Sequence, residues 1–144
     1  MRFLDLSDGG RQLAALISPE LVADCLLVAV PSGGAVVAAA LGDVLDLEPE
    51  ELVVTSTDDR VLVEVPVDVS GRRVLVVDEG VETGTAARAV VAALREAGAA
   101  YVVLAVPVCP REAEADLRRR YDDVIAVTKP LARRSLRWHY ETFA

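Results

Sequence analysis

The chain has little of what most active sites and interfaces are built from. Among its 144 residues there is one histidine, His139, one tryptophan, Trp138, and two cysteines, Cys25 and Cys109. Aromatic residues amount to 4%. No Cys/His spacing suggests a zinc site. His139 has no evident partner for nucleophilic catalysis. Both cysteines border apolar runs and read as buried thiols in a reducing compartment. No apolar run approaches the roughly 20 residues that a membrane span requires. The opening Met1-Arg2-Phe3-Leu4-Asp5 lacks the apolar core of a signal peptide, so the expected location is the cytoplasm. Basic residues are also scarce, with Lys+Arg 15 against Asp+Glu 23, a net charge of −8. That balance leaves no electrostatic footprint for nucleic acid.

What is present is a core. Hydrophobic residues make up 53%, which excludes a disordered chain, and the length suits a single domain over 1–144. The charge is uneven: residues 1–110 hold 7 basic and 17 acidic side chains, net −10, and residues 111–144 hold 8 and 6, net +2. A phosphorylated ligand bound in the first part must therefore be attracted by backbone amides and a metal.

The order of elements predicts an α/β fold with a mostly parallel, doubly wound sheet in three layers. A helix is expected over 8–17. Residues 26–30 form a continuous apolar run, as in a strand covered on both faces. Pro31-Ser32-Gly33-Gly34 ends it, and a small-residue helix follows over 35–41. Residues 51–55 and 60–67 are rich in valine. The second run alternates, which fits a half-exposed strand near a sheet edge, and Pro66 agrees with an edge. A strand over 74–77, a helix from Thr83-Gly84-Thr85 to Ala97, a strand over 101–106, a helix over 110–120 and a strand over 123–127 complete the series.

In such a sheet, ligands sit beyond the carboxyl ends of the strands. Two ends carry unusual residues. At Ser32, Gly33 and Gly34, successive glycines allow a close backbone approach and inward-turned amides, an anion nest. An ordinary tight strand-to-helix turn accounts for the same residues equally well. The second end is more specific. In Val74-Leu75-Val76-Val77-Asp78-Glu79-Gly80-Val81-Glu82-Thr83-Gly84-Thr85-Ala86-Ala87, a buried strand runs straight into two acids. Their burial costs several kcal/mol unless they find partners. Sugar hydroxyls are suitable partners. Thr83, Gly84 and Thr85 at a helix N-terminus offer N–H and hydroxyl donors for a phosphate monoester. Together they suggest a ribose 5-phosphate ligand. The spacing matches neither G-x-x-x-x-G-K-[ST] nor G-x-G-x-x-G.

Residues 74–87 resemble the phosphoribosyl-pyrophosphate (PRPP) motif of type I phosphoribosyltransferases, and the resemblance extends over nearly the whole chain. Within that family it is similar to a group of bacterial predicted phosphoribosyltransferases. It shares their N-terminal helix at Asp8–Ile17, the Ala-Val-Pro-Val run within Val103–Arg120, and a C-terminal aromatic cluster at Trp138-His139-Tyr140-Glu141-Thr142-Phe143. The resemblance implies that Asp78 and Glu79 hold the ribose 2- and 3-hydroxyls. It implies that Glu82, Thr83, Gly84, Thr85, Ala86 and Ala87 cradle the 5-phosphate, and that Ser32, Gly33 and Gly34 form a pyrophosphate loop. Mg²⁺ would be held mainly by substrate oxygens, the acceptor would be a nitrogenous base, and a homodimer is a family habit, with 61–67 as a candidate contact.

Glu82 stands where purine-salvage members place a base toward the purine; a surface acid at a helix start is the other reading. Trp138 or Tyr140 could stack on a base or pack the C-terminal segment onto the sheet. Three features depart from the family pattern. Ser32 replaces a common arginine, and the chain ends at Ala144, where relatives continue with a helix. The segment where relatives carry a long mobile loop offers only Thr55-Ser56-Thr57-Asp58-Asp59-Arg60. The expected activity is phosphoribosyl transfer. The alternatives are a PRPP- or nucleotide-binding regulatory module without turnover and, more remotely, a hydrolase or lyase acting on a ribose phosphate.

Overall fold

A computed structural model of the chain describes residues 2–143. Five parallel strands form the central sheet: β1 (Cys25–Ala29), β2 (Glu50–Glu51), β5 (Arg73–Val77), β6 (Tyr101–Val108) and β7 (Asp123–Thr128), in the order β2-β1-β5-β6-β7. Helices α1 (Leu6–Ala14), α2 (Pro19–Val22) and α3 (Gly33–Leu45) cover one face, and α4 (Thr85–Glu96) and α5 (Arg111–Leu117) cover the other. The expected three-layer α/β architecture is what the chain adopts.

The layering follows from side-chain alternation. Successive residues of a strand point to opposite faces. Val74 and Val76 of β5 therefore join Val102, Leu104 and Val106 of β6 under α4 and α5. Leu75 and Val77 join Val103 and Ala105 under α1 and α3. Both faces need apolar cover, so these strands read as unbroken hydrophobic runs. The helices answer with one apolar stripe each. Ala87, Val90, Val91 and Leu94 of α4 recur at helical spacing and are buried. Asp5 caps α1, its side chain accepting a hydrogen bond from the Asp8 N–H at 2.8 Å.

The valine-rich middle differs from expectation in one respect. The valine-rich run at 51–55 splits at the buried Leu52, with Glu50–Glu51 adding to the parallel sheet beside β1. Val53–Ser56 (β3) leaves that sheet and pairs antiparallel with Val61–Glu64 (β4), forming a separate two-stranded ribbon. Residues 61–67 are thus not an edge of the main sheet. Their alternation has the expected origin: Val63, Val65 and Val67 pack on the core side near α4, and Leu62, Glu64 and Pro66 face outward. Helix α2 and the short 3₁₀ turn at Leu136–His139 lacked a periodic signal. Cys109 is buried as expected, its thiol pushed up to about 11 by that burial, whereas Cys25 at the start of β1 is only half-buried. No helix among the described residues is long and apolar enough to cross a membrane.

Leu75 is fully buried at the centre of the sheet. Leu75→Ala is expected to cost about 2–5 kcal/mol, read as a lower urea midpoint with an unchanged slope.

Candidate functional site

The register of two neighbouring strands builds the site. Ala29, the last residue of β1, lies opposite Val77, the last of β5. The Val30 N–H then donates to the Val77 carbonyl at 2.9 Å, carrying the pairing one step further. From there the chain diverges. β1 continues through α3 to β2 on one side, and β5 through α4 to β6 on the other. Loops that leave adjacent strand ends in opposite directions open a crevice between them, the switch point at which doubly wound sheets take ligands. There Gly33 and Gly34 come directly against Glu79 and Asp78.

Asp78 and Glu79 occupy the crevice floor, both half-buried. The Asp78 Oδ1 accepts a hydrogen bond from the Glu79 N–H at 2.7 Å. Among the described residues no lysine or arginine forms an ion pair with Asp78, Glu79 or Glu82. Burial drives the Asp78 carboxyl up to about 8; the Glu79 amide hydrogen bond pulls against this, and the Glu79 charge adds to it. Glu79 is likewise raised, by burial first and then by the charge of Glu82. Uncompensated acids of this kind suit a ligand that brings hydroxyl donors or a hard cation. No group of three or more candidate ligands that could hold a metal exists among the described residues. Asp78 and Glu79 are the carboxylates that Mg²⁺ would meet here, with water and ligand oxygens completing its coordination.

Across the crevice, Gly33 and Gly34 are needed for contact. A Cβ on Gly33 would overlap the Glu79 carboxyl, and one on Gly34 would lie 3.0 Å from the Asp78 Cα and from the Val77 carbonyl oxygen. Any side chain there would push the two loops apart. The peptide before them, Pro31–Ser32, is cis. Helix α3 starts at Gly33, and Ser32 makes no side-chain cap, so the first amides of the helix have no side-chain acceptor.

The loop after the acids is held from behind. The Val81 N–H donates to the Val108 carbonyl at 2.9 Å. Gly84 is buried with φ of +89°, a left-handed conformation that turns the chain into α4. The Thr83 and Thr85 hydroxyls lie 3.1 Å apart. Arg88, one turn into α4, donates to the Thr83 carbonyl at 3.2 Å and the Thr85 hydroxyl at 3.4 Å, and pairs with Asp116 at 3.4 Å. Sequence reasoning missed this brace; its signal was the spacing of Arg88 from Gly84 and Thr85 on one helical face. Thr83 to Ala87, the three acids, Gly80, Val81, Ser56, Val61 and Leu136 line one cavity of about 320 Å³. Beside it, the ribbon's tip at Thr57–Arg60 shares a small recess with Thr85.

The C-terminal residues lie differently from the stacking alternative. The Tyr140 ring is buried, with Phe3 and Phe143 each at a centroid distance of 5.4 Å, so it packs the C-terminal segment and offers no face to a base. Its hydroxyl donates to the Glu79 carbonyl at 2.6 Å. Trp138 is 41% exposed but lies outside the cavity, with the Arg134 guanidinium 4.3 Å from its ring centroid. Leu136 supplies the cavity's C-terminal wall instead. Its N–H donates to Glu82 Oε1 at 2.7 Å, a partner that neither sequence reading of Glu82 contained. His139 is buried, edge-on to Trp138 at 5.0 Å.

A parallel sheet whose switch point joins a glycine turn, an acid pair and an amide-rich loop defines the architecture of type I phosphoribosyltransferases. The family model for the phosphoribosyl transferase domain matches residues 8–134, and the chain belongs to that family. Among solved structures it is similar to TT1426 from Thermus thermophilus, with 23% identity, a TM-score of 0.87, and coverage of 100% of this chain and 92% of that one. It is similar to a purine phosphoribosyltransferase from Pyrococcus horikoshii at 21% identity and TM-score 0.63, over 76% of this chain and 80% of that one. A hypoxanthine-guanine phosphoribosyltransferase from Bacillus anthracis matches at 17% identity and TM-score 0.62, over 75% and 68%.

The raised Asp78 carboxyl has a thermodynamic consequence. A group whose folded value exceeds its unfolded one stabilises the fold at low pH and loses that contribution as pH rises toward the folded value, here between about 4 and 8. Asp78→Asn removes the buried charge. It is expected to be more stable than the parent by on the order of 3 kcal/mol at pH 9, with the gap closing toward pH 4. Denaturant unfolding across pH checks this; a gap independent of pH would contradict it.

Proposed function

We propose that the protein binds PRPP with Mg²⁺ and transfers its phosphoribosyl group to a nitrogenous base, releasing pyrophosphate. The carrying observation is the acid pair without a cationic partner, set in one cavity beside the Thr83–Ala87 turn with its amides and hydroxyls. Asp78 and Glu79 accept from the ribose hydroxyls and lay negative charge near C1 as it gains oxocarbenium character. The Thr83–Ala87 amides and the Thr83 and Thr85 hydroxyls take the 5-phosphate, and the amides at Ser32–Gly34 take the pyrophosphate. A nitrogen lone pair forms the bond to C1 as the C1–O bond to pyrophosphate breaks. Bound Mg²⁺ would neutralise the departing diphosphate. Glu82 lies at the cavity edge and, once released from Leu136, can accept a proton from the incoming base.

A second reading is favoured by specific features. The ribbon turns within Thr57–Arg60, with the Thr57 N–H donating to the Arg60 carbonyl at 2.8 Å, and Ser32 brings no charge to the pyrophosphate loop. A short cover and an uncharged loop suit ligand binding without turnover, as in a regulatory module.

Titration with PRPP and Mg²⁺, followed by a pyrophosphate-release assay over purine and pyrimidine bases, tests both. Binding with turnover supports transfer, binding alone supports the regulatory reading, and a folded protein that binds no PRPP overturns both. Gly84→Val is expected to abolish binding, because valine cannot hold φ of +89° without strain and the cradle depends on that turn. Arg60, the only basic residue from Gly42 to Ser70, sits at the ribbon tip beside Thr85. Arg60→Ala is expected to weaken PRPP binding by about tenfold, measured by calorimetry; an unchanged affinity would remove it from the site.

A further inference from the structure

The C-terminal segment returns to the acid turn and bonds to it twice. Leu136 N–H meets the Glu82 carboxylate at 2.7 Å, and the Tyr140 hydroxyl meets the Glu79 carbonyl at 2.6 Å. Leu136 also packs on Gly80, where an added Cβ would press on Leu136 Cδ2. The segment is itself anchored to the N-terminal residues. The Phe3 N–H donates to the His139 carbonyl at 2.7 Å, and the Glu141 N–H donates to the Phe3 carbonyl at 2.8 Å. The Arg2 Nε donates to the Trp138 carbonyl at 2.6 Å.

Packing alone does not require a tyrosine at 140. Phenylalanine would fill the same space between Phe3 and Phe143. The hydroxyl serves the Glu79 carbonyl, and that bond fixes the plane of the Glu79–Gly80 peptide. In a planar trans peptide the N–H points opposite to the C=O. With the Glu79 carbonyl turned onto Tyr140, the Gly80 N–H is turned away from it. That N–H meets no acceptor among the described residues, and Gly80 lines the cavity. The same bond ties the backbone of Glu79, from which the carboxylate extends, to the C-terminal segment.

We propose that Tyr140 is a positioning residue for the ribose end of the cavity. Its hydroxyl holds the Glu79–Gly80 peptide so that the Glu79 carboxylate meets the ribose hydroxyls and the Gly80 amide faces the ligand. This inference rests on the PRPP reading above. It assigns Tyr140 to the geometry of the acid turn and not to contact with the base.

Tyr140→Phe keeps the ring and removes only the hydroxyl. Phe3→Leu loosens the same aromatic cluster without touching that bond and serves as the structural control. PRPP with Mg²⁺ is titrated into all three proteins by calorimetry, well below their melting temperatures. The expected result is a loss of about tenfold in affinity for Tyr140→Phe and less than about twofold for Phe3→Leu, although both melt earlier than the parent. Equal affinity of Tyr140→Phe and parent overturns the positioning role and leaves the PRPP reading standing. An equal loss in both variants also overturns it, because stability alone would then explain the effect. A folded parent that binds no PRPP overturns the PRPP reading and this inference with it.

Discussion

The parallel pairing of β1 with β5, in register through Ala29 and Val77, is the constraint on which the rest of the site depends. It delivers two loops to the same height at the centre of the sheet. One loop must be nearly bare of side chains, because the other begins with acids packed against it. Gly33 and Gly34 meet that demand. A slip of one residue between these strands would turn Val76 and Val77 to the wrong faces. It would also bring the acids out of line with the glycine turn. Core packing on both faces therefore enforces the register that the site requires.

The acid turn is costly in the unliganded protein, and its surroundings are arranged to hold it regardless. Asp78 and Glu79 carry raised carboxyls because burial is not offset by any cation. The loops around them are braced through neutral or peripheral contacts. Val108 holds Val81, Arg88 holds Thr83 and Thr85, and Tyr140 holds Glu79. None of Val108, Arg88 and Tyr140 lines the cavity. The protein's net charge of −8 then has a local meaning. No basic residue lines the cavity at the acid turn; Arg60 lies beside it, in the recess it shares with Thr85.

The fold was largely legible because its main signal is short-range. Unbroken apolar runs at 26–30, 74–77 and 101–106 read as strands covered on both faces, and their alternation with helices supports a parallel sheet. The acid pair and the Thr83-Gly84-Thr85 loop were legible because polar residues at the end of a buried strand contradict the core pattern. The split at Leu52 was not legible. Residues 50–56 are uniformly suited to extended structure, and only the competing partners, β1 on one side and β4 on the other, decide where the chain bends.

From the sequence alone came the layer architecture and the two strand ends, at Ser32–Gly34 and at Asp78–Thr85, where polar and glycine residues break the core pattern, since each is written in a contiguous segment. Only the tertiary structure decided what the distant C-terminal residues do. It placed Leu136 in the cavity wall, set Trp138 outside it under Arg134, and buried Tyr140 beneath Glu79. It also gave Glu82 a backbone partner at Leu136 that lies far along the chain. The reason is physical. A residue type states which contacts it can make, but for a lone aromatic or acid outside a periodic pattern, which contact forms depends on segments brought together only when the core closes.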